Sequence, residues 1–271
     1  MTTTSATSVR VTSRALQVEK LTRVRRRSSV WGGRIGVLVA ILLLWQLGSG
    51  RFLDPYFFSK PTAIWDSLLG LASSGKLAVN ALLTLQEIAI GYVVGAVVGA
   101  VVAVLLTWSD QFYEIVEPYF LAVYAVPSVA LAPLIIVWFG LGITSKVVLA
   151  AYYVFFVVFL NVASGVRGVR KSWLDSARIM GATRLQLVRT IVIPGAWPHV
   201  MTGLRTGLPQ AVVGAIVGEF LSSQHGMGFL VVDASARYNT AGVFAAVTVL
   251  SLFILIMNAL LNSGSSDRRR V

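Results

Sequence analysis

Long apolar runs, each about the length needed to cross a lipid bilayer, dominate this chain. Of its 271 residues, 56% are hydrophobic and 13% are charged. A water-soluble domain of this length needs far more polar surface, whereas about 20 apolar residues cross the hydrocarbon core as a helix. We therefore predict an all-α, polytopic membrane protein with six transmembrane helices. The predicted spans are residues 31–47, 87–108, 115–140, 145–166, 200–221 and 243–261.

Positive charge is concentrated in three polar segments. The net charge is +12, and most of the cations lie in residues 1–30, 167–194 and 268–270. Six spans place both termini and the central segment on one side of the plasma membrane, and the positive-inside rule assigns that side to the cytoplasm. The thinly spread remaining cations, such as Lys146, then fall outside. This distribution suits a membrane surface better than a nucleic-acid partner.

The two ends of this pattern suggest a division of the chain. Residues 1–30 are rich in Ser, Thr and Arg and poor in apolar residues, which is typical of a disordered tail. We interpret them as a basic cytoplasmic tail. Residues 31–271 would form the membrane domain, with a cytoplasmic loop at 167–195.

Residue types that carry most catalytic and metal chemistry are scarce. The chain has no cysteine and two histidines, His199 and His225, far apart in sequence. Without a nucleophile beside a base, or a cluster of ligands, we predict no catalytic residue and no metal site. Residues 70–77 approach a phosphate-binding loop, but Leu77 stands where that loop needs a hydroxyl, so we do not expect the chain to bind ATP.

Small residues recur at four-residue intervals along the second span. Gly91, Gly95 and Gly99 share one helical face, on which another backbone can approach closely. We predict a helix-packing surface there. The spacing leaves open whether the partner helix belongs to this chain or to a second copy.

The third span contains two prolines, Pro127 and Pro133, with Ser128 after the first. Proline breaks the helical hydrogen-bond pattern, and broken backbone at membrane depth survives only where protein or a water-filled cavity satisfies it. We predict a bend that lines or gates a path, with a packed kink as the alternative.

A few polar residues lie inside the other spans. Asn161 and Gln210 are deep in their spans, whereas Glu87 and Glu219 are expected near external span ends. Intramembrane polar groups are costly and mark function by default. Asn161, Gln210 and Glu219 are therefore candidates for a translocation path, although Glu219 could equally be a structural anchor.

A polar segment, residues 172–194, separates the fourth and fifth spans. Ser172 followed by Asp175 fits a helix N-cap, and Gly181 with Ala182 would end that helix. A short helix of this kind on the membrane surface offers a binding site for another protein.

A second helix is predicted in the same segment. Thr183 and Gln186 fit a capping box, the helix would run through Val192, and Pro194 would stop it. Two capped helices with a glycine hinge favour a docking element over an ordinary cytoplasmic loop.

The spacing of Asp175, Gly181 and Pro194 resembles the EAA motif, the coupling loop of ABC importer permeases. That motif reads Glu-Ala-Ala, three residues, Gly, nine residues, Ile-x-Leu-Pro. The departures are Asp175 for Glu, Ser176 for Ala and Ile193 for Leu. The shorter Asp175 side chain puts the motif's salt bridge to the ATPase in doubt.

Two further stretches resemble the nitrate/sulfonate/taurine branch of these permeases. They are residues 127–146 and Glu219 followed by residues 226–228, so the likeness covers roughly residues 55 to 262. It implies a type I ABC importer (MetI-like) permease fold. The chain would be the permease subunit of an ATP-driven importer that moves a small solute from a binding protein to the cytoplasm.

The branch implies an organic or inorganic anion as cargo, such as nitrate, a sulfonate, taurine or a carboxylate. A pyrimidine or other heterocyclic vitamin precursor is the alternative, and a stand-alone secondary transporter is an alternative of another class. Many secondary transporters are built from internal repeats, and none is visible here, which weakens the secondary-transporter hypothesis.

The resemblance also implies partners. These are two ATP-binding subunits, an external solute-binding protein and a second permease copy, with ATP and Mg²⁺ held by the partner ATPase and no cofactor in this chain. The residues expected to couple to the ATPase are Trp173, Leu174, Asp175, Ala177, Arg178, Gly181, Ala182 and Pro194.

Overall fold

The computed structural model describes residues 32–52, 54–222 and 224–263; the predicted tail of residues 1–30 lies outside them. Helices make up most of these residues and no strand occurs among them, so the predicted all-α class is confirmed. The helices are α1 (Gly32–Gly48), α2 (Pro55–Phe58), α3 (Pro61–Ser73), α4 (Lys76–Leu106), α5 (Asp110–Ala125), α6 (Ser128–Phe139), α7 (Ile143–Arg167), α8 (Lys171–Ile179), α9 (Arg184–Leu187), α10 (Ile193–Ser222), α11 (Met227–Ala236) and α12 (Thr240–Ser263).

Four helical stretches of the described residues are long and apolar enough to cross a membrane. They are α4, α7, the run Arg184–Ala236 that contains α10, and Thr240–Met257 of α12. The pair α5 and α6 would make a fifth. The apolar helix α1 is shorter than the roughly 20 residues of a typical crossing. Length and composition thus support four or five of the six predicted spans.

The predicted third span, residues 115–140, is wrong as a single helix. α5 and α6 meet at an angle of 90°. The break lies at Val126, which is extended (φ −67°, ψ 126°), because Pro127 disfavours helical backbone at the residue before it. Pro133 lies inside α6 and does not interrupt it. Only the first of the two prolines therefore produces the predicted bend.

The described helices belong to two compact units divided after Trp65. In the first unit the chain folds back after α1. The Ser49 hydroxyl donates to the carbonyl of Ser59 at 2.6 Å. The side-chain amide of Gln46 bonds both the hydroxyl and the backbone N–H of Thr62. These bonds satisfy polar groups that follow an otherwise apolar helix.

The second unit is built around close contact between α4 and α7. A Cβ added at Gly91 would lie 2.5 Å from Cβ of Ala150, and one added at Gly99 would lie 2.7 Å from the Phe155 carbonyl. Contacts advance in the same direction along both helices, so α4 and α7 run parallel. The glycine face of α4 therefore packs on α7 of this same chain.

α10 packs on α7 in the opposite direction. Its Gly203 meets Asn161, its Gly214 meets Ala150 and its Gly218 meets Lys146. Contacts on α10 therefore move toward the start of α7 as α10 proceeds, and the two helices are antiparallel. Small residues bring the two backbones close enough for extensive packing in a lipid environment.

A buried ion pair joins α4 to the beginning of α7. Nζ of Lys146 lies 3.1 Å from Oε1 of Glu87, and both side chains are less than one-tenth exposed. The Lys146 side chain, which the sequence places on the external side, is buried in the helix bundle, where Glu87 supplies a counter-charge. Glu87 is not near a span end, since α4 begins at Lys76 rather than residue 87.

Gly95→Ala should destabilise the protein, because the new Cβ would meet the Ala151 carbonyl and lie 2.8 Å from Cβ of Val154. Overpacking of this kind costs about 1–3 kcal/mol. Gly70→Ala is the matched control, since nothing lies within 4 Å of a Cβ built there on helix α3. Thermal unfolding in detergent measures both variants. An unchanged midpoint for Gly95→Ala would contradict the close contact.

Lys146→Met should leave the Glu87 carboxylate buried without its counter-charge, at a cost of about 3–5 kcal/mol in unfolding free energy. Adding Glu87→Gln should restore much of that loss. Lys171→Met is the control, because it removes an exposed partner 3.8 Å from Asp110 and should cost at most about 1 kcal/mol. Equal unfolding midpoints for the two lysine variants would show that the buried pair does not stabilise the bundle.

Candidate coupling segment and solute path

We call residues 171–192, between α7 and α10, the surface segment; it opens with α8, which starts before the predicted position. The N-cap is Arg170, whose backbone is extended and whose side chain makes no capping bond. Ser172 lies inside the helix, so the cap predicted at Ser172 is wrong: the extended backbone of Arg170, rather than the serine hydroxyl, sets the start. Asp175 instead pairs with Arg178 at 3.1 Å on an exposed face.

α8 ends at a glycine hinge, as predicted. Gly181 has a left-handed backbone with φ +83°. Its N–H donates to the carbonyl of Arg178, and the N–H of Ala182 donates to the carbonyl of Ala177. A left-handed residue just past a helix end is most easily supplied by glycine. The hinge therefore depends on the residue type at Gly181.

The capping box predicted for the next helix is present. The Thr183 N–H donates to Oε1 of Gln186 at 2.8 Å, and the Gln186 N–H donates back to the Thr183 hydroxyl. These reciprocal bonds fix the direction in which α9 leaves the hinge.

The stop predicted at Pro194 is wrong. α9 passes through a π turn, Val188–Val192, directly into α10, and Pro194 is the second residue of α10. In the π turn the N–H of Ile193 donates to the carbonyl of Val188. Proline has no backbone N–H to donate, and its ring clashes with the carbonyl four residues earlier in a regular α-helix. The wider π turn leaves room for the ring and does not require that hydrogen bond. α9 and α10 are consequently continuous helix, whereas α8 is separated from them by the turn at Gly181.

The surface segment exposes several large apolar side chains. Ile179 is 87% exposed and Met180 80% exposed, with Trp173 and Leu185 also more than half exposed. Leu174 is half-buried and lines a groove of about 610 Å³ under the segment. We call the four exposed side chains the apolar docking face. An apolar patch on a polar segment is typical of a protein-interaction surface.

Ion pairs connect the end of α7 to the beginning of α5. Arg167 lies 3.6 Å from both Glu114 and Glu117, and its guanidinium stacks over the ring of Tyr113. These groups are partly exposed, so each pair is individually weak. Together they hold the base of the surface segment against α5.

A cavity of about 260 Å³ brings together three of the predicted path residues. Pro127, Ser128 and Gln210 line it. The 90° break between α5 and α6 creates one wall, and α10 supplies another. Its remaining lining is mostly aromatic, from Tyr124, Tyr152, Tyr153 and Phe156. We call this the aromatic cavity.

The other predicted path residues do not line the aromatic cavity. Pro133 is inside α6. The Asn161 amide donates to the carbonyl of Val157 within α7, one turn earlier, and its side chain packs at Gly203. Both contribute to helix geometry in this conformation.

Glu219 lies in a buried hydrogen-bond cluster at the far end of α10. It accepts from the Thr84 hydroxyl and from the backbone N–H of Gly228 at 2.6 Å. Thr84 in turn accepts from the N–H of Met227, and Asn80 from the N–H of Gly226. Three consecutive N–H groups at the start of α11 are thus bound by α4 and α10. Glu219 thus connects α10 to α4 through Thr84 and to α11 through Gly228.

Sequence reasoning missed two groups of residues. The aromatic side chains of the cavity look like ordinary lipid-facing or core residues in an apolar run. Ile179 and Met180 lie just before the hinge. They occupy positions that the EAA motif leaves unspecified, because the motif is defined by small and charged residues. A search for apolar residues at the end of a polar, capped helix could have found the second group.

Comparison with known proteins places these features in a family. Residues 91–264 match the family described as binding-protein-dependent transport system inner membrane component. The riboflavin transport system permease protein RibX of Chloroflexus aurantiacus is 36% identical, over 82% of this chain and 84% of its own length. A probable ABC transporter permease of Haemophilus influenzae is 34% identical, over 80% of this chain and 86% of its own.

Relatives with other named cargoes also match. The formylaminopyrimidine transport permease ThiX of Halalkalibacterium halodurans is 31% identical, over 78% of this chain and 84% of its own length. The taurine transport permease TauC of Escherichia coli is 27% identical, over 82% of this chain and 83% of its own length. The predicted resemblance to the sulfonate and taurine branch is confirmed.

Solved structures agree on the fold. An amino acid ABC transporter aligns with 75% of this chain and 98% of its own, with a TM-score of 0.62 and 17% identity. The MetNI methionine ABC transporter aligns with 68% of this chain and 92% of its own, with a TM-score of 0.58 and 19% identity. The predicted MetI-like permease fold is therefore confirmed, and this chain belongs to the inner membrane components of binding-protein-dependent ABC transport systems.

Proposed function

We propose that the surface segment of this permease seats on an ATP-binding subunit and that its apolar docking face supplies the contact. The observation that carries this is that Ile179 and Met180, almost fully exposed, lie at the end of α8, which a short turn joins to α9, and that α9 continues as helix into α10. Apolar side chains of that size on a cytoplasmic surface gain most by being covered by another protein.

The hinge and the capping box would define the shape of the contact. Asp175, Ala177 and Arg178 present a short helix, and Gly181 and Ala182 set its angle to α9. Since Asp175 already pairs with Arg178, a further ion pair to the ATPase would have to compete with an internal one. We therefore assign most of the contact energy to Trp173 and the other apolar side chains.

Motion would pass from the ATPase to the membrane through α10. ATP binding and hydrolysis, with Mg²⁺, would take place wholly in the partner subunit. Closure of two ATP-binding subunits would displace two copies of the surface segment, and α10 would shift against α7 because it is continuous with α9 through the π turn. Pro194 would mark the point where the lever enters the bundle.

The proposed assembly contains a second permease copy and an external solute-binding protein. Both chain termini would lie in the cytoplasm with the surface segment, as the distribution of cations favours. The cargo would be a small solute, with an organic or inorganic anion as the first class and a heterocyclic vitamin precursor as the second. The names of the riboflavin and formylaminopyrimidine relatives support keeping the second class.

Gly181→Val should weaken association with the ATP-binding subunit, because a β-branched residue strains a left-handed backbone by about 1–2 kcal/mol. We expect the amount of ATP-binding subunit that co-purifies from the native membrane to fall roughly 5- to 30-fold. Gly140→Val is the matched control: it has φ +80°, nothing lies within 4 Å of its Cβ, and it is at the other end of α7.

Two outcomes would contradict the coupling role. One is equal recovery of the ATP-binding subunit with both glycine variants. The other is a wild-type chain that never co-purifies with an ATP-binding protein and drives uptake from an ion gradient, as a stand-alone secondary transporter would.

The proposed orientation predicts which side of the membrane each surface residue faces. The natural chain has no cysteine, so single substitutions give a clean signal. Ser74→Cys, before α4, should react with a membrane-impermeant maleimide on intact spheroplasts. Ser176→Cys, on α8, should react only after the membrane is opened. The reverse pattern would overturn the cytoplasmic assignment of the surface segment.

A further inference from the structure

We propose that the aromatic cavity is the solute-contact site of the path and that it takes a single planar aromatic ring bearing an acceptor group, such as an aromatic carboxylate. This rests on the proposed function, since it names the cargo class for the same permease. Four aromatic side chains and two polar ones line the cavity, and no charged side chain of the described residues does.

The aromatic walls are held in place by their own contacts. The Tyr152 hydroxyl donates to the carbonyl of Val123 at 3.1 Å, which anchors α7 to the end of α5. The Tyr152 ring meets Phe156 edge to face at 5.1 Å, and Tyr124 lies 5.5 Å from Phe156. Rings fixed in this way present faces and edges on which another planar ring can stack or pack.

Two polar side chains at the cavity have no partner within the described chain. Neither the Gln210 amide nor the Ser128 hydroxyl makes a hydrogen bond there, and both residues are only partly exposed. An unsatisfied polar group at membrane depth is unfavourable, so both groups must bond to water or to a solute. Gln210 offers both donors and an acceptor, which suits a polar substituent at the ring edge.

The position of α6 favours an acceptor group at one end of the cavity. α6 begins at Ser128, so its first-turn N–H groups and the positive end of its dipole lie at the cavity wall. A carboxylate or carbonyl of the solute would be stabilised there. The lack of lining cations argues against a compact, fully charged anion as the sole determinant, because such anions are usually held by Arg or Lys.

The cavity is partly open, and its size suits a small ring. Its volume of about 260 Å³ is below the range of roughly 300–1,000 Å³ that is usual for drug-sized ligands. A solute the size of benzoate matches this volume.

Saturation-transfer NMR on the full chain in nanodiscs tests the site, with benzoate and ethanesulfonate as probes. Both are monoanions, and only benzoate has a ring. We expect saturation of the benzoate ring protons, and a fall in its affinity of about fivefold in Tyr153→Leu, with near wild-type binding in Tyr153→Phe. Gln210→Leu should also weaken benzoate binding. Tyr119→Leu, which removes a 70% exposed tyrosine outside the cavity, is the matched control.

Either of two results would overturn the proposal: ethanesulfonate saturating as strongly as benzoate, or benzoate binding unchanged in Tyr153→Leu. Retention of the ATP-binding subunit is measured on the same variants. Loss of benzoate binding with the subunit retained supports the site. Absence of the subunit from the wild-type preparation would contradict the proposed function without changing the outcome for the cavity.

Discussion

Close contact between helix backbones is the constraint on which the rest of this structure depends. Apolar side chains gain little by leaving lipid for protein, so helices in a membrane associate through packing that small residues allow. α4 packs on α7 through Gly91, Gly95 and Gly99. α10 packs on α7 through its own row of glycines, which includes Gly203 and Gly214. The parallel and antiparallel directions of these two contacts decide which helix ends share a side of the membrane.

The same packing gives α10 its mechanical role. A helix of 30 residues is about 45 Å long at 1.5 Å per residue. Its first residues continue from α9, Gln210 lies near its middle, and Glu219 is bound to α4 and α11 near its end. A shift imposed at the surface segment would therefore move Gln210 relative to the aromatic rings on α7, because a continuous helix transmits displacement instead of absorbing it.

Much of this fold is visible in the sequence because its signals are local. Apolar runs mark the helices, and the Thr183–Gln186 pair marks a cap. At Lys146 and Pro194, a local rule is overridden by a neighbour. Hydropathy treats Lys146 as a single charge and misses Glu87, which makes its burial tolerable. Proline rules predict a stop at Pro194 and miss the π turn that accommodates it.

The proposed cargo site and the proposed coupling site differ in chemistry as well as in place. The surface segment is charged and carries an exposed apolar face, whereas the aromatic cavity is lined without charge. Substitutions at sites that share no contacts act nearly independently, so changes in the cavity lining need not disturb the segment. Such independence would suit a family whose members are named for cargoes as different as riboflavin and taurine. Under the proposal for the aromatic cavity, the cargo of this chain would combine the ring of the heterocyclic class with the negative charge of the anion class.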